Sequence, residues 1–132
     1  MKLIDTTVAI DHLRGDERAA LLLERLAGED EPLLASELSR FELLAGVRPH
    51  ELDTTELFMD ALTWVPVDEA IARLAGSMAA EYRRSHRGID AIDYLIAATA
   101  TVVGADLLTT NVRHFPMIPG LRPPYGTRTE PN

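Results

Sequence analysis

The chain has 132 residues, 46% hydrophobic and 26% charged, enough for one core without covalent staples and ordinary for a soluble globular protein. It contains no cysteine, which excludes a disulfide framework and a thiolate metal centre. A formal net charge of −8 argues against non-specific nucleic-acid binding by global attraction, but not against an enzyme that meets phosphate through bound cations and local arginines.

Met1-Lys2-Leu3-Ile4-Asp5 reaches an acid too early for a signal peptide, and no apolar run is long enough to span a bilayer, so a cytoplasmic protein without membrane contact is expected. Residues 2–5 are predicted as a short buried strand, and Asp5-Thr6-Thr7 as its exit into a helix that Thr6 or Thr7 is placed to cap. Asp16 and Glu17 open a second helix, ended by Gly28. Pro32 to Ala35 reads as a strand, after which Ser36 caps a helix to about Ala45, with Gly46 as its stop signal. Residues 51–62 read as helical, Trp64 to Val67 as extended, and Asp68 as the cap of a helix to about Arg84. A basic connection, Arg83-Arg84-Ser85-His86-Arg87-Gly88, leads into an apolar helix from about Asp90 to Val103, stopped by Gly104. Ala105 to Thr110 is predicted as a strand with Asn111 at its end, and 116–132 as a Pro-rich loop and tail.

With no linker or internal repeat, 1–132 reads as a single domain. Short strands alternating with helices predict an α/β sandwich around a mainly parallel sheet. In such sheets ligands collect at the carboxyl ends of strands, where Asp5 and Asn111 are both expected.

Three acids stand out against this background. Asp93 lies inside Ile92-Asp93-Tyr94-Leu95-Ile96-Ala97-Ala98, and helical spacing puts it on one face with Ile89, Ile96 and Ala97. A buried carboxylate without a partner costs several kcal/mol or becomes protonated, so the fold must bring a cation or strong donors to it. Asp5 ends the apolar Leu3-Ile4, and Glu42 lies on the stripe Leu38, Phe41, Ala45. Read singly, Asp5 also suits a helix cap, Glu42 an edge residue with its head in water, and Asp90 an N-terminal cap rather than an additional ligand. Read together, three inward carboxylates from distant segments are best explained by a shared ion. Oxygen-only ligands suit Mg2+, with Mn2+ able to substitute, and such an ion can activate water on a phosphodiester.

Leu3-Ile4-Asp5-Thr6-Thr7-Val8, Glu42-Leu43-Leu44-Ala45-Gly46, Asp93-Tyr94-Leu95-Ile96-Ala97-Ala98-Thr99-Ala100 and Leu108-Thr109-Thr110-Asn111 occur in this order over about residues 2–122. Together they resemble a PIN-domain ribonuclease, specifically a VapC-type toxin of a type II toxin–antitoxin pair. The resemblance implies a three-layer α/β/α sandwich with a short central sheet. It also implies a Mg2+- or Mn2+-dependent endoribonuclease, neutralised by a VapB-type antitoxin and acting as a homodimer. Asp5, Glu42 and Asp93 match the family's three core acids, and Asn111 falls where some members carry a fourth. An Asn there can ligate or orient water but lowers the site's negative charge. His114, where relatives often have an acid, is expected to cap a turn or contact RNA.

In the mechanism these residues suggest, Asp5 and Asp93 hold the principal ion. Glu42 binds a water or second ion and helps take a proton from the attacking water. Thr7 and Thr109 are candidates for orienting carboxylates or waters. Arg40, Arg84, Arg87 and Arg113, with Arg83, are candidate RNA-phosphate ligands, or else solvated surface. Aromatic residues make up only 5% of the chain, so specificity is expected from RNA shape and the dimer groove more than from stacking. An aspartyl-phosphate phosphatase would want a second Asp where Thr7 stands, and a receiver domain a late lysine, whereas Lys2 is the only one. The remaining alternative is a non-catalytic PIN-like scaffold that binds protein. The antitoxin is expected to lay an amphipathic segment in a groove and a basic side chain in the acidic pocket.

Overall fold

The computed structural model describes residues 1–126. The chain runs β1 (Lys2–Ile4), α1 (Thr6–Leu13), α2 (Glu17–Ala27), β2 (Leu33–Ser36), α3 (Glu37–Gly46), α4 (Leu52–Asp60), β3 (Thr63–Val65), α5 (Glu69–Tyr82), α6 (Ala91–Val103) and β4 (Asp106–Leu108). The four strands form one wholly parallel sheet in the order β3-β2-β1-β4.

Successive strand residues point to opposite faces, and both faces are covered. Ile4 and Ala35 pack with Val8, Leu22, Leu26 and Met59 from α1, α2 and α4. Leu3, Leu34 and Leu107 pack with Ile96, Ala97 and Ala100 of α6 and with Phe115. Helix α5 lies against α6 through Ile71, Ala75, Tyr94 and Ala98. This is the expected three-layer α/β/α sandwich, with every strand pair parallel.

The strand order fixes where a ligand can sit. From β1 the chain crosses to β2 on one side, while β4 returns to pair with β1 on the other. The connections therefore diverge at the carboxyl ends of β1 and β4, which opens a crevice there. Asp5 and Thr109 immediately follow these two strands.

Most helix starts fall where the sequence places them: Asp16, Ser36 and Asp68 accept backbone N–H bonds as N-caps of α2, α3 and α5. The first cap differs from expectation. Asp5, not Thr6 or Thr7, is the N-cap of α1, with its Oδ1 accepting the Thr6 N–H at 2.8 Å. A carboxylate at that position engages the unpaired amides and the positive end of the helix dipole. The segment expected as helix 51–62 opens with a tight turn at Pro49–Glu51 and continues as α4 to Asp60. Strand β3 ends at Val65 because Pro66 has no N–H to donate. Strand β4 stops at Leu108, since its only strand neighbour is the three-residue β1, and so Thr109 is released from the sheet to face Asp5.

Past β4, Phe115 is buried on the α6 face of the sheet, and the chain then crosses to α1, where the Tyr125 hydroxyl donates to Asp11 Oδ2 at 2.5 Å. Residues 127–132 of the expected tail lie outside the described residues.

Gly104 ends α6 with φ 71° and ψ 34°, a left-handed conformation that returns its N–H to the carbonyls of Ala100 and Thr101. A Cβ there would meet nothing within 4 Å, so the cost of Gly104→Ala is backbone strain alone. It should lower stability by about 1–2 kcal/mol. In urea unfolding this reads as a lower midpoint with an unchanged slope.

Candidate active site

Asp5 is the most constrained of the three acids, at 5% exposure. Besides the Thr6 N–H on Oδ1, its Oδ2 accepts from Thr109 Oγ1 at 2.7 Å and from Thr7 Oγ1 at 3.2 Å. Thr109 is wholly buried, and its oxygen accepts the Asn111 N–H at 3.0 Å, so its single hydrogen is directed at Asp5. Thr7 likewise accepts the Thr110 N–H at 3.2 Å. Both threonines therefore hold the Asp5 carboxylate. Burial nonetheless pushes the Asp5 carboxyl up from its ordinary value against the hydrogen bonds from Thr109, Thr6 and Thr7, and the charge of Asp90 adds to the rise.

Asp93 enters from the first turn of α6, its side chain 14% exposed. Burial, the neighbouring Asp90 charge and the Asp5 charge push its carboxyl up to about 6, against the Asp90 N–H bond and His114. Asp90 and Asp93 form a reciprocal cap: the Asp93 N–H donates to Asp90 Oδ1 at 3.0 Å, and the Asp90 N–H to Asp93 Oδ2 at 3.3 Å. Asp90 thus serves as the N-cap of α6, with its charge bearing on both Asp5 and Asp93.

His114 does more than cap a turn. Its Nδ1 lies 3.0 Å from Asp93 Oδ2 and 2.8 Å from Asn111 Nδ2. Asn111 reaches the site through this histidine and through its backbone N–H on Thr109.

Glu42 is held by a different hydroxyl from those on Asp5. Its Oε1 accepts from Thr6 Oγ1 at 2.6 Å, and the same Thr6 oxygen lies 2.9 Å from Ser39 Oγ. Thr6 and Ser39 escape a sequence reading, although two signals exist: the Thr6-Thr7 doublet beside Asp5, and Ser39 one helical turn before Glu42.

Among the described residues, no three His, Cys, Asp or Glu side chains are grouped as a metal cage. The donor set that fits a hard divalent ion is the pair Asp5 and Asp93, each held by hydrogen bonds and each raised first by burial and further by neighbouring carboxylate charge, which a cation would offset. Mg2+ commonly uses one or two carboxylates and keeps several waters, so this pair suffices. Because Thr109 fixes Asp5, Thr109→Val should weaken Mn2+ binding by about 10–100-fold, read by titration of the purified protein.

The arginines separate into two groups. Arg40 donates to Glu37 Oε1 at 2.5 Å and stacks 4.1 Å over the Trp64 ring, so its guanidinium is already engaged. Arg83, Arg84 and Arg87 are exposed on the connection that enters α6, and Arg113 is exposed beside His114. These four flank the segments that carry Asp93 and its histidine.

A profile of the PIN domain matches residues 2–120. The chain is 65% identical to "Ribonuclease VapC19" of Mycobacterium tuberculosis over 125 residues, covering 95% of this chain and 100% of that protein. It is 45% identical to "Ribonuclease VapC10" of the same organism, covering 95% and 93%. Its fold superposes on a toxin–antitoxin complex from Klebsiella pneumoniae with a TM-score of 0.81 and 25% identity, covering 96% of this chain and 100% of that one. With the family profile covering most of the chain and relatives this similar along nearly their whole length, the chain belongs to the PIN-domain family.

Proposed function

We propose that the protein is a VapC-type toxin, a Mg2+-dependent endoribonuclease that hydrolyses RNA phosphodiester bonds and is neutralised by a cognate VapB-type antitoxin. The observation that carries this reading is the buried Asp5 at the crevice between β1 and β4, with its charge acting on Asp93, in a chain whose relatives are ribonucleases by name. A divalent ion held by Asp5 and Asp93 would supply an activated water and neutralise charge on the phosphodiester. Thr7 and Thr109 keep Asp5 oriented, and His114 keeps Asp93 oriented. Glu42 accepts the proton of the attacking water as the ribose oxygen leaves. Arg84, Arg87 and Arg113 meet the flanking phosphates, with a single-stranded loop as the substrate form.

A cavity that reaches Glu42, lined by Ile10, Leu13, Leu43 and Val47 together with Arg14, Arg48 and Glu51, suits the amphipathic antitoxin segment. The reading also takes the protein to be one PIN domain, homodimeric and cytoplasmic. No helix among the described residues is long and apolar enough to cross a membrane.

The rival reading is a non-catalytic scaffold, favoured by the lack of a three-membered cage among the described residues. Brief expression of the wild type and of Asp93→Asn in a bacterial host, with transcriptome-wide mapping of new RNA 5′ ends, separates the two. Discrete ends with the wild type alone are expected. Identical maps, with both proteins folded and soluble, would replace the nuclease with the scaffold.

A further inference from the structure

Among the clusters outside the Asp5–Asp93 pair, one joins buried hydroxyls to a carboxylate. Ser39 is 2% exposed and Thr6 is 6% exposed, so neither hydroxyl has ready access to solvent. Thr6 Oγ1 carries one hydrogen and has two oxygen neighbours, Glu42 Oε1 at 2.6 Å and Ser39 Oγ at 2.9 Å. The shorter contact, to a group that only accepts when ionised, has the length of a charge-assisted O–H···O bond and takes that hydrogen. Ser39 Oγ lies against the same Thr6 oxygen, so Thr6 is held between Ser39 and the Glu42 carboxylate.

We infer that Ser39 and Thr6 are positioning residues that hold Glu42 as the acceptor for the attacking water rather than as a ligand of the metal ion. Two observations support this. Glu42 is secured through α1, from the residue next to Asp5 but on its own partner, whereas Asp5 turns its Oδ2 toward Thr7 and Thr109. The described residues contain no three-carboxylate cage of which Glu42 could be a member. A carboxylate fixed on one oxygen keeps the other to receive a proton from water. Deprotonating that water generates the nucleophile; as its oxygen bonds to phosphorus the P–O bond to the ribose breaks, the leaving oxygen takes a proton from solvent, and Glu42 returns its own proton to solvent.

The inference rests on the ribonuclease reading, and the experiment keeps the two separable. The full chain and its Thr6→Val, Thr6→Ser, Ser39→Ala and Asp93→Asn variants are purified. Mn2+ affinity is read from the free-ion signal in electron paramagnetic resonance, and kcat and KM from cleavage of an RNA that the wild type cuts. Thr6→Val should lose about 10–100-fold in kcat, the range for removing an orienting partner, with Mn2+ affinity and KM within about threefold of wild type. Thr6→Ser should restore most of the rate, and Ser39→Ala should fall between. Asp93→Asn should lose Mn2+ binding itself.

Parallel loss of Mn2+ affinity in Thr6→Val would make Glu42 a metal ligand and overturn the inference. So would wild-type kcat in Thr6→Val, or a failure of Thr6→Ser to restore it when thermal melts show both variants folded. A wild type that neither binds Mn2+ nor cuts any RNA overturns the ribonuclease reading first, and the inference with it.

Discussion

Asp93→Asn should reduce RNA cleavage by well over about 100-fold while leaving the metal-free protein at least as stable as wild type at pH 7.5. The activity loss follows from the site: removing a partner one shell out costs about 10–100-fold, and Asp93 is placed to bind the ion directly. The stability result follows from linkage. In the metal-free fold the Asp93 carboxyl sits at about 6, above its ordinary 3.8. Below pH 3.8 the group is protonated folded or unfolded and contributes nothing. As pH rises from about 4 through 6, the unfolded chain releases the proton first, so the folded state loses stability across that window and stays at the lower level above it. An Asn carries no charge and lacks this window. Melting temperatures of both proteins between pH 4 and pH 8, with chelator present, should diverge as pH rises, the variant melting higher. Adding Mn2+ should raise the wild type and leave the variant unchanged. A variant that melts well below wild type at pH 7.5 would show that the Asp93 charge is already compensated within the protein.

The largest effect on folding is expected from Phe115→Ala. Phe115 is 1% exposed and packs with Leu3, Leu34, Ile96 and Leu107 on the α6 face of the sheet. Deleting so large a side chain from a packed core costs about 3–5 kcal/mol, the lost transfer energy plus the cavity left behind. Domains of this size are stable by only about 5–15 kcal/mol, so the variant should lose about a fifth or more of its margin. Phe115 also follows His114, and its N–H closes the tight turn Val112–His114 by bonding to the Val112 carbonyl. Cleavage by Phe115→Ala should therefore fall even at temperatures where the protein remains folded, because the turn that carries His114 to Asp93 has lost its anchor. A shift of the urea midpoint measures the first effect, and cleavage well below the melting temperature the second. Unchanged cleavage under those conditions would mean that His114 is held by its hydrogen bonds alone.

Local signals account for much of this architecture. Asp93 betrays itself because its neighbours Ile92, Leu95, Ile96 and Ala97 are apolar and a helix turns it inward with them. Gly28 and Gly104 after apolar runs, and Asp16, Ser36 and Asp68 before them, mark helix ends by backbone chemistry that depends on adjacent residues only. What local signals miss are contacts made when distant elements meet. Thr6 and Glu42 are 36 residues apart, and only the packing of α1 against α3 shows that one hydroxyl holds the other's carboxylate. Arg40 looks like a free phosphate ligand until Trp64 and Glu37 are seen to occupy it. His114 shows no pattern that ties it to Asp93, 21 residues earlier. The cap of α1 falls on Asp5 rather than on Thr6 or Thr7 for a different reason. Threonine and aspartate are both good N-caps, and what decides between them is where β1 stops, a matter of pairing with β2 and β4 rather than of propensity.

The central claim, that Asp5 and Asp93 together hold the divalent ion that drives RNA hydrolysis, is tested most directly by titrating Mn2+ into purified wild type, Asp5→Asn and Asp93→Asn at pH 7.5. The account predicts saturable binding by the wild type and a loss of affinity beyond about 100-fold in each variant, with both variants folded. Equal binding by all three proteins, or none by the wild type, would contradict it.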